Sequence, residues 1–227
     1  MNDKQIVIIG GGLQGLATAF TLLNRGEDVL ILERDEDVAT AASFANAGML
    51  TPSQSSPWNS PNDIFQILKG IGKKDSPMSL NPLTIPSLFF WGMKFLINST
   101  PTRFDRITSN LFSLGNYSKY LTQKIREEFD MSYDESLLGT LKIYRDAQNF
   151  DKASEFQTKM FSGNKEFSIL DTESLTNLEP ALKEVRHDLA GGIHFPNDET
   201  GDAYKFCKKL EELIRSNGGR ILTNTNI

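Results

Sequence analysis

Apolar positions at the start of the chain come first as an unbroken run and then at helical spacing. Gln5 to Ile9 is short, apolar and β-branched, which predicts a strand buried on both faces of a parallel sheet. From Leu13 the period changes: Leu16, Ala19, Phe20 and Leu23 recur at three- and four-residue steps, and Gly26 stands where a helix-terminating glycine is expected. Val29 to Leu32 predicts a second buried strand. Further along, Phe104, Ile107, Leu111, Leu114, Leu121, Ile125 and Phe129 predict a long amphipathic helix with its stripe in the core, and Thr102 with Asp105 resembles a capping box at its start. Leu141 and Ile143 alternate with Lys142 and Tyr144 as in a strand, and Phe150 to Met160 predicts another helix. "GGIHFPNDETGD" reads as a strand ending in a turn, with Asp202 or Thr200 capping a helix whose apolar face is Phe206, Leu210, Leu213 and Ile214. After Gly218 and Gly219, "RILTNTNI" begins as a strand that returns to the first sheet.

Two segments read less simply. Ser60, Pro61 and Asp63 predict a short helix through Leu68. Pro86 to Ile97, "PSLFFWGMKFLI", is dense in apolar residues but far below the roughly 20 needed to span a bilayer. It is a core helix or a peripheral membrane contact.

Gly10, Gly12 and Gly15 join the first strand to the first helix with G-x-G-x-x-G spacing. The first allows a tight turn, the second lets backbone approach a pyrophosphate, and the third lets helix pack on strand. Glu33, at the end of the second strand, stands where a carboxylate takes ribose hydroxyls. A 2′-phosphate beside it would place like charges together, which disfavours NADP and leaves NAD or FAD. The chain then enters "SFANAGML" and the Pro- and Ser-rich "TPSQSSPWNSPND" rather than another crossover. By residue type alone, that segment is equally a plain loop or a flavin contact.

With 39% hydrophobic and 23% charged residues over 227 positions, the chain has an ordinary globular balance. Its net charge of −5 and dispersed Lys and Arg show no footprint for nucleic acid. The single cysteine, Cys207, has no internal disulfide partner, and the N-terminus carries no secretory leader pattern, so the expectation is an intracellular protein. Cys207 reads as a packed thiol, His187 and His194 have no metal-ligand spacing, and Asp198, Glu199 and Asp202 read as turn and cap rather than a metal site.

"SFANAGMLTPSQSSPWNSP", followed by "LEPALKEVRHDLAGGIHFPNDETGD", resembles the small catalytic subunit of bacterial FAD-dependent D-amino acid dehydrogenases, within the D-amino acid oxidase-like flavoproteins. The resemblance implies an α/β Rossmann-type FAD-binding domain with an inserted α+β substrate domain. The first part of the FAD domain would be residues 1–60, the partial insert 61–195, and an incomplete return 196–227. It implies that Gly10, Gly11, Gly12, Leu13, Gln14 and Gly15 hold the FAD pyrophosphate, Glu33 and Arg34 lie at the adenosine ribose, and Ser43, Asn46, Ala47, Gly48 and Met49 lie beside the flavin. No catalytic residue is named, because an amine with a neutral nitrogen loses hydride directly.

The implied reaction converts a D-amino acid to a 2-oxo acid and ammonia, with electrons passed to a quinone or other carrier. The expected location is cytoplasmic, with peripheral contact at the inner face of the membrane. Alternatives are a related flavin oxidoreductase acting on glycine, sarcosine, proline or a 2-hydroxy acid, a non-catalytic fragment or split-enzyme half, and a plain NAD-binding module. The match covers roughly the family's N-terminal half, so the expectation is a chain truncated at its C-terminus. It would then lack further FAD-domain strands and the arginine and tyrosine grip on substrate, and would need a C-terminal complementing chain.

Overall fold

A computed structural model describes residues 5–60, 86–161 and 166–226. In chain order the elements are β1 (Ile6–Ile9), α1 (Leu13–Leu23), β2 (Val29–Leu32), β3 (Met49–Leu50), a 3-10 turn (Pro52–Gln54), α2 (Phe89–Asn98), α3 (Pro101–Glu128), β4 (Thr140–Tyr144), α4 (Ala147–Phe161), β5 (Ser168–Leu170), α5 (Thr172–Leu178), a 3-10 stretch (Pro180–Asp188), β6 (Gly191–Phe195), β7 (Glu199–Thr200), α6 (Ala203–Ser216) and β8 (Arg220–Leu222). They form two units. One comprises Met1–Leu50, Leu121–Gly139 and Asn197–Ile227; the other comprises Thr51–Tyr120 and Thr140–Pro196.

The first unit is built on a parallel sheet in the order β1-β2-β8. The expected return of "RILTNTNI" is seen in the register Ile31↔Ile221. Side chains alternate across the pleat. Ile8, Val29, Ile31 and Ile221 face Leu16, Ala19 and Phe20 of α1 and Leu210 and Ile214 of α6, forming one apolar core. The opposite face differs from expectation: Val7 is 50% exposed, Ile9 73% and Leu222 51%. β1 is thus not buried on both faces, because the described helices of this unit cover only one.

The second unit carries an antiparallel sheet in the order β4-β6-β5, with Ile193 of β6 opposite both Lys142 and Ile169. Ile193 and Phe195, with Leu175 of α5, are buried. Asp171 caps α5, accepting from the Ser174 N–H at 2.8 Å.

Three expectations change. No residue of α2 is buried, so the core-helix reading of "PSLFFWGMKFLI" fails. Apart from Lys94 and Asn98 the helix is apolar, a composition that normally signals burial, yet Phe90 is 81% exposed. Its ordered contacts include a cluster in which Phe95 meets Trp58 and Trp91 at centroid distances of 5.8 and 5.1 Å.

α3 starts at Pro101, a favoured first helical position, with the Thr100 carbonyl accepting from the Phe104 N–H. The Asp105 carboxylate is committed to Lys159 at 2.6 Å rather than to a capping box. Of its apolar stripe, Phe104 is buried whereas Leu111, Leu114 and Leu121 are exposed.

The unit boundaries also differ from 1–60, 61–195 and 196–227: residues 51–60 join the second unit and 121–139 the first. Phe129, just past α3, meets Phe20 of α1 edge-on at 5.6 Å. The helix expected from Pro61 through Leu68 lies outside the described residues.

Burial around α6 yields two expected outcomes. Leu210 is fully buried, so Leu210→Ala should cost about 2 to 5 kcal/mol in urea unfolding. Burial, with a smaller contribution from Asp202, pushes the Cys207 thiol up to about 11. At pH 8 iodoacetamide should therefore modify the folded protein far more slowly than the denatured chain.

Candidate functional site

The site begins where β1 ends. Gly10 turns the chain at φ +99°, a left-handed conformation that side chains disfavour, while its N–H remains bonded to the Leu32 carbonyl at 2.8 Å. A Cβ on Gly15 would lie 1.9 Å from the Gly10 carbonyl oxygen, so α1 sits against the turn at backbone contact. Gly12 is different. It is the N-cap of α1 in ordinary extended geometry (φ −78°, ψ 179°), and the nearest atom to a Cβ there is the Ser43 hydroxyl at 3.4 Å. Nothing in the protein requires glycine at Gly12, which is what a position reserved for a ligand's close approach looks like.

The α1 N-terminus supplies a positive field. Its first turn holds no carboxylate, and Ser43 Oγ accepts from the Leu13 N–H at 3.0 Å. Glu33 Oε2 accepts from the Gly11 N–H at 2.5 Å and Oε1 from the Asp35 N–H at 2.9 Å. A carboxylate offers about four lone-pair positions, so acceptor capacity remains for ribose hydroxyls. Hydrogen bonds from Thr40 and Arg34 hold the Asp35 carboxyl below its usual range.

A cleft of about 400 Å³ opens at this end of the sheet, lined among others by Gly10, Gly12, Glu33, Arg34, Ser43 and Thr225. A second cleft, of about 410 Å³, is lined by Asn46, Ala47 and Gly48 with Asp134, Gly201 and Asp202. Asn46 Oδ1 accepts from the Gly48 N–H at 2.7 Å, closing a tight turn. Gly48 lies at φ +59°, and a Cβ on it would meet the Gly201 carbonyl oxygen at 2.1 Å.

Of the thirteen residues singled out from sequence, Gly10, Gly12, Glu33, Arg34 and Ser43 line the first cleft, and Asn46, Ala47 and Gly48 the second. Gly11, Leu13, Gln14, Gly15 and Met49 line neither. Gly11 packs beneath Val38 and Glu33, Leu13 presents its N–H to Ser43, Gln14 is exposed, and Met49 pairs with Thr200 in the β3–β7 ladder.

Sequence reading missed Thr225, whose N–H bonds the Glu33 carbonyl at 2.8 Å, and also Asp134 and Gly201. No local pattern marks Thr225 or Asp134, and Gly201 reads only as part of the "PNDETGD" turn, since all three reach the site by long-range pairing. Asp202, anticipated as a cap, accepts from the Lys205 N–H at 2.9 Å. Among the described residues no three His, Cys, Asp or Glu side chains gather as a metal site.

Backbone donors at a helix start, space beside Gly12 and an acceptor at Glu33 fit a dinucleotide with its pyrophosphate on α1 and a ribose at the acid. The two glycines should separate experimentally. Gly15→Ala must displace α1 and should lower the urea midpoint strongly, whereas Gly12→Val should cost only about 1 kcal/mol, the loss of a favoured N-cap residue, while filling the ligand's space.

Residues 5–227 match the DAO family model, described as FAD dependent oxidoreductase. D-amino acid dehydrogenase 1 of Mesorhizobium japonicum is 34% identical over 98% of this chain and 53% of its own length. D-amino acid dehydrogenase of Paramagnetospirillum magneticum is 33% identical, with the same two shares covered. The chain thus spans about half the length of these curated relatives. Among solved structures, glycine oxidase from Bacillus cereus superposes with a TM-score of 0.60 at 20% identity, covering 98% of this chain and 47% of that one. The glycine turn, the acid at the end of β2 and a family match across nearly every residue lead to one conclusion: this chain belongs to the DAO family of FAD dependent oxidoreductases.

Proposed function

We propose that this chain supplies the FAD-holding part of an enzyme that deaminates D-amino acids oxidatively to 2-oxo acids and ammonia. The observation that carries the reading is the cleft joining the α1 N-terminus, Gly12 and Glu33, in a chain 30–34% identical to D-amino acid dehydrogenases. When bound, FAD supplies a hydride acceptor for the substrate α-carbon, and the electrons then pass to a quinone or another carrier.

The chain's own residues bind and orient. The backbone from Gly10 to Gly15 and the α1 dipole take the pyrophosphate, Glu33 accepts from the ribose hydroxyls, and Arg34 flanks them. Ser43 and the Asn46–Met49 turn lie along the flavin. In this reading the second unit, with its antiparallel sheet, is part of a substrate domain inserted in the FAD domain.

Two exposed surfaces extend the reading. A parallel sheet is normally covered on both faces, and the open face bearing Val7, Ile9 and Leu222 fits a further polypeptide segment. We assign that role to the half of the relatives' length that this chain does not match, supplied in the same chain or by a complementing one. The exposed Phe90, Trp91 and Leu96 of α2 fit peripheral contact at the cytoplasmic face of a membrane. Among the described residues no helix is long and apolar enough to cross one.

The test is the absorbance spectrum from about 300 to 550 nm, without oxygen, before and after D-alanine, for the chain alone and with the unmatched half of the M. japonicum enzyme co-expressed. The expected result is bound flavin that bleaches with D-alanine when the complement is present. Bleaching only by glycine, sarcosine, proline or a 2-hydroxy acid would move the substrate to the alternative class, and flavin that never bleaches would indicate a non-catalytic fragment. Absence of flavin from both preparations would overturn the cofactor assignment. Glu33→Ala should weaken FAD binding by about 1 to 3 kcal/mol, the range for lost charge-assisted hydrogen bonds, as read by flavin fluorescence titration.

A further inference from the structure

In the Asn46–Gly48 turn, Asn46 and Ala47 are exposed and only Gly48 is partly buried. Its support comes from β7. Met49 pairs with Thr200 and Leu50 with Glu199, and the Gly201 N–H bonds the Gly48 carbonyl at 2.8 Å. A ladder two residues long is weak by itself. β7 is held on its other side as well, by reciprocal bonds between Ser136 and Thr200 at 2.8 and 3.0 Å and by the Asp202 N–H to the Tyr133 carbonyl at 2.7 Å.

Within the same unit, a buried polar network grips that strand. The Glu199 side chain, 5% exposed, accepts from Arg126 Nη1 at 2.8 Å and from Gln123 Nε2, while the Arg126 side chain is 11% exposed. Arg126 Nη1 also donates to the Tyr133 hydroxyl at 3.2 Å. The Tyr133 ring lies under Gly201, where a Cβ would meet it at 2.5 Å, and packs edge-on against Phe206 at 5.1 Å. None of Gln123, Arg126, Tyr133 and Glu199 lines either cleft.

An ion pair this deep rarely outperforms apolar packing as a source of stability, but its directional bonds specify one geometry. We infer that Arg126 and Glu199 are positioning residues: they hold β7 so that Gly201 fixes the Asn46–Met49 turn at the FAD site, and they act on the cofactor only through that backbone contact. The inference rests on the proposed placement of FAD along this turn.

The test uses the full chain and four proteins: the parent, Glu199→Gln, Arg126→Lys, and Ile214→Val as a core variant in the last turn of α6. Backbone amide exchange of Gly48 and Gly201 is followed without flavin, well below the melting temperature, and FAD affinity is then titrated. Glu199→Gln should speed exchange at both glycines and weaken FAD binding, each about tenfold, and Arg126→Lys, which keeps the charge, should fall between it and the parent. Ile214→Val should leave both readouts at parent values even though its melting temperature falls.

The inference is overturned if Glu199→Gln exchanges like Ile214→Val, or if a loosened turn leaves FAD affinity unchanged. A parent protein that binds no FAD would sink the cofactor reading instead. Exchange at Gly48 and Gly201 alone would then decide whether the network holds the turn. Should Glu199→Gln fail to fold, Arg126→Lys carries the same comparison.

Discussion

The Gly10 carbonyl oxygen occupies the space in which a Cβ on Gly15 would sit, 1.9 Å away, so α1 is seated on β1 at a distance open only to glycine. Much of the first unit follows from that contact. It aims the α1 N-terminus out of the sheet end, brings Gly12 to the rim of the cleft and sets α1 over Ile8, Val29 and Ile31. Glu33 adds a second tie: its carboxylate bonds the Gly11 N–H and its carbonyl receives Thr225, so the glycine turn, β2 and the strand end after β8 are linked at one residue. An acid anticipated for ligand contact is thereby also a structural element of the protein.

Stabilisation within this unit is uneven. α1, α6 and one face of the sheet form a dense apolar core with Leu16, Val29, Ile31, Leu210 and Ile214 fully buried. The two-residue pairing of β3 with β7 is short and depends on side-chain hydrogen bonds beneath it. Apolar burial is insensitive to direction, whereas an arginine–carboxylate bond is specific in angle and distance. A core therefore suffices to form the sheet, and polar contacts are needed where a loop must hold one position.

The local expectations that succeeded were those set by neighbouring residues. β1, α1, β2, β4, α6 and β8 were readable because their periods, glycine punctuation and the Asp202 cap act over a few residues. The expectations that failed concern what lies against an element. β1 has the composition of a doubly buried strand but is covered on one face, and α2 is apolar but for Lys94 and Asn98 yet exposed. A side chain's hydrophobicity records its tendency to leave water, not whether the rest of the chain supplies a surface to meet it.

By itself, the sequence determined the strand–turn–helix–strand unit and its chemistry: glycines at Gly10, Gly12 and Gly15, and an acid at Glu33, each acting through steric room or charge encoded in a single residue. Tertiary structure alone decided that residues 121–139 join this unit, that Thr225 returns to Glu33, and that Gly48 meets Gly201 over the Arg126–Glu199 pair. Those contacts join residues tens to nearly two hundred positions apart. They exist only once the core has closed, because no local propensity carries the free energy of a pairing across that distance.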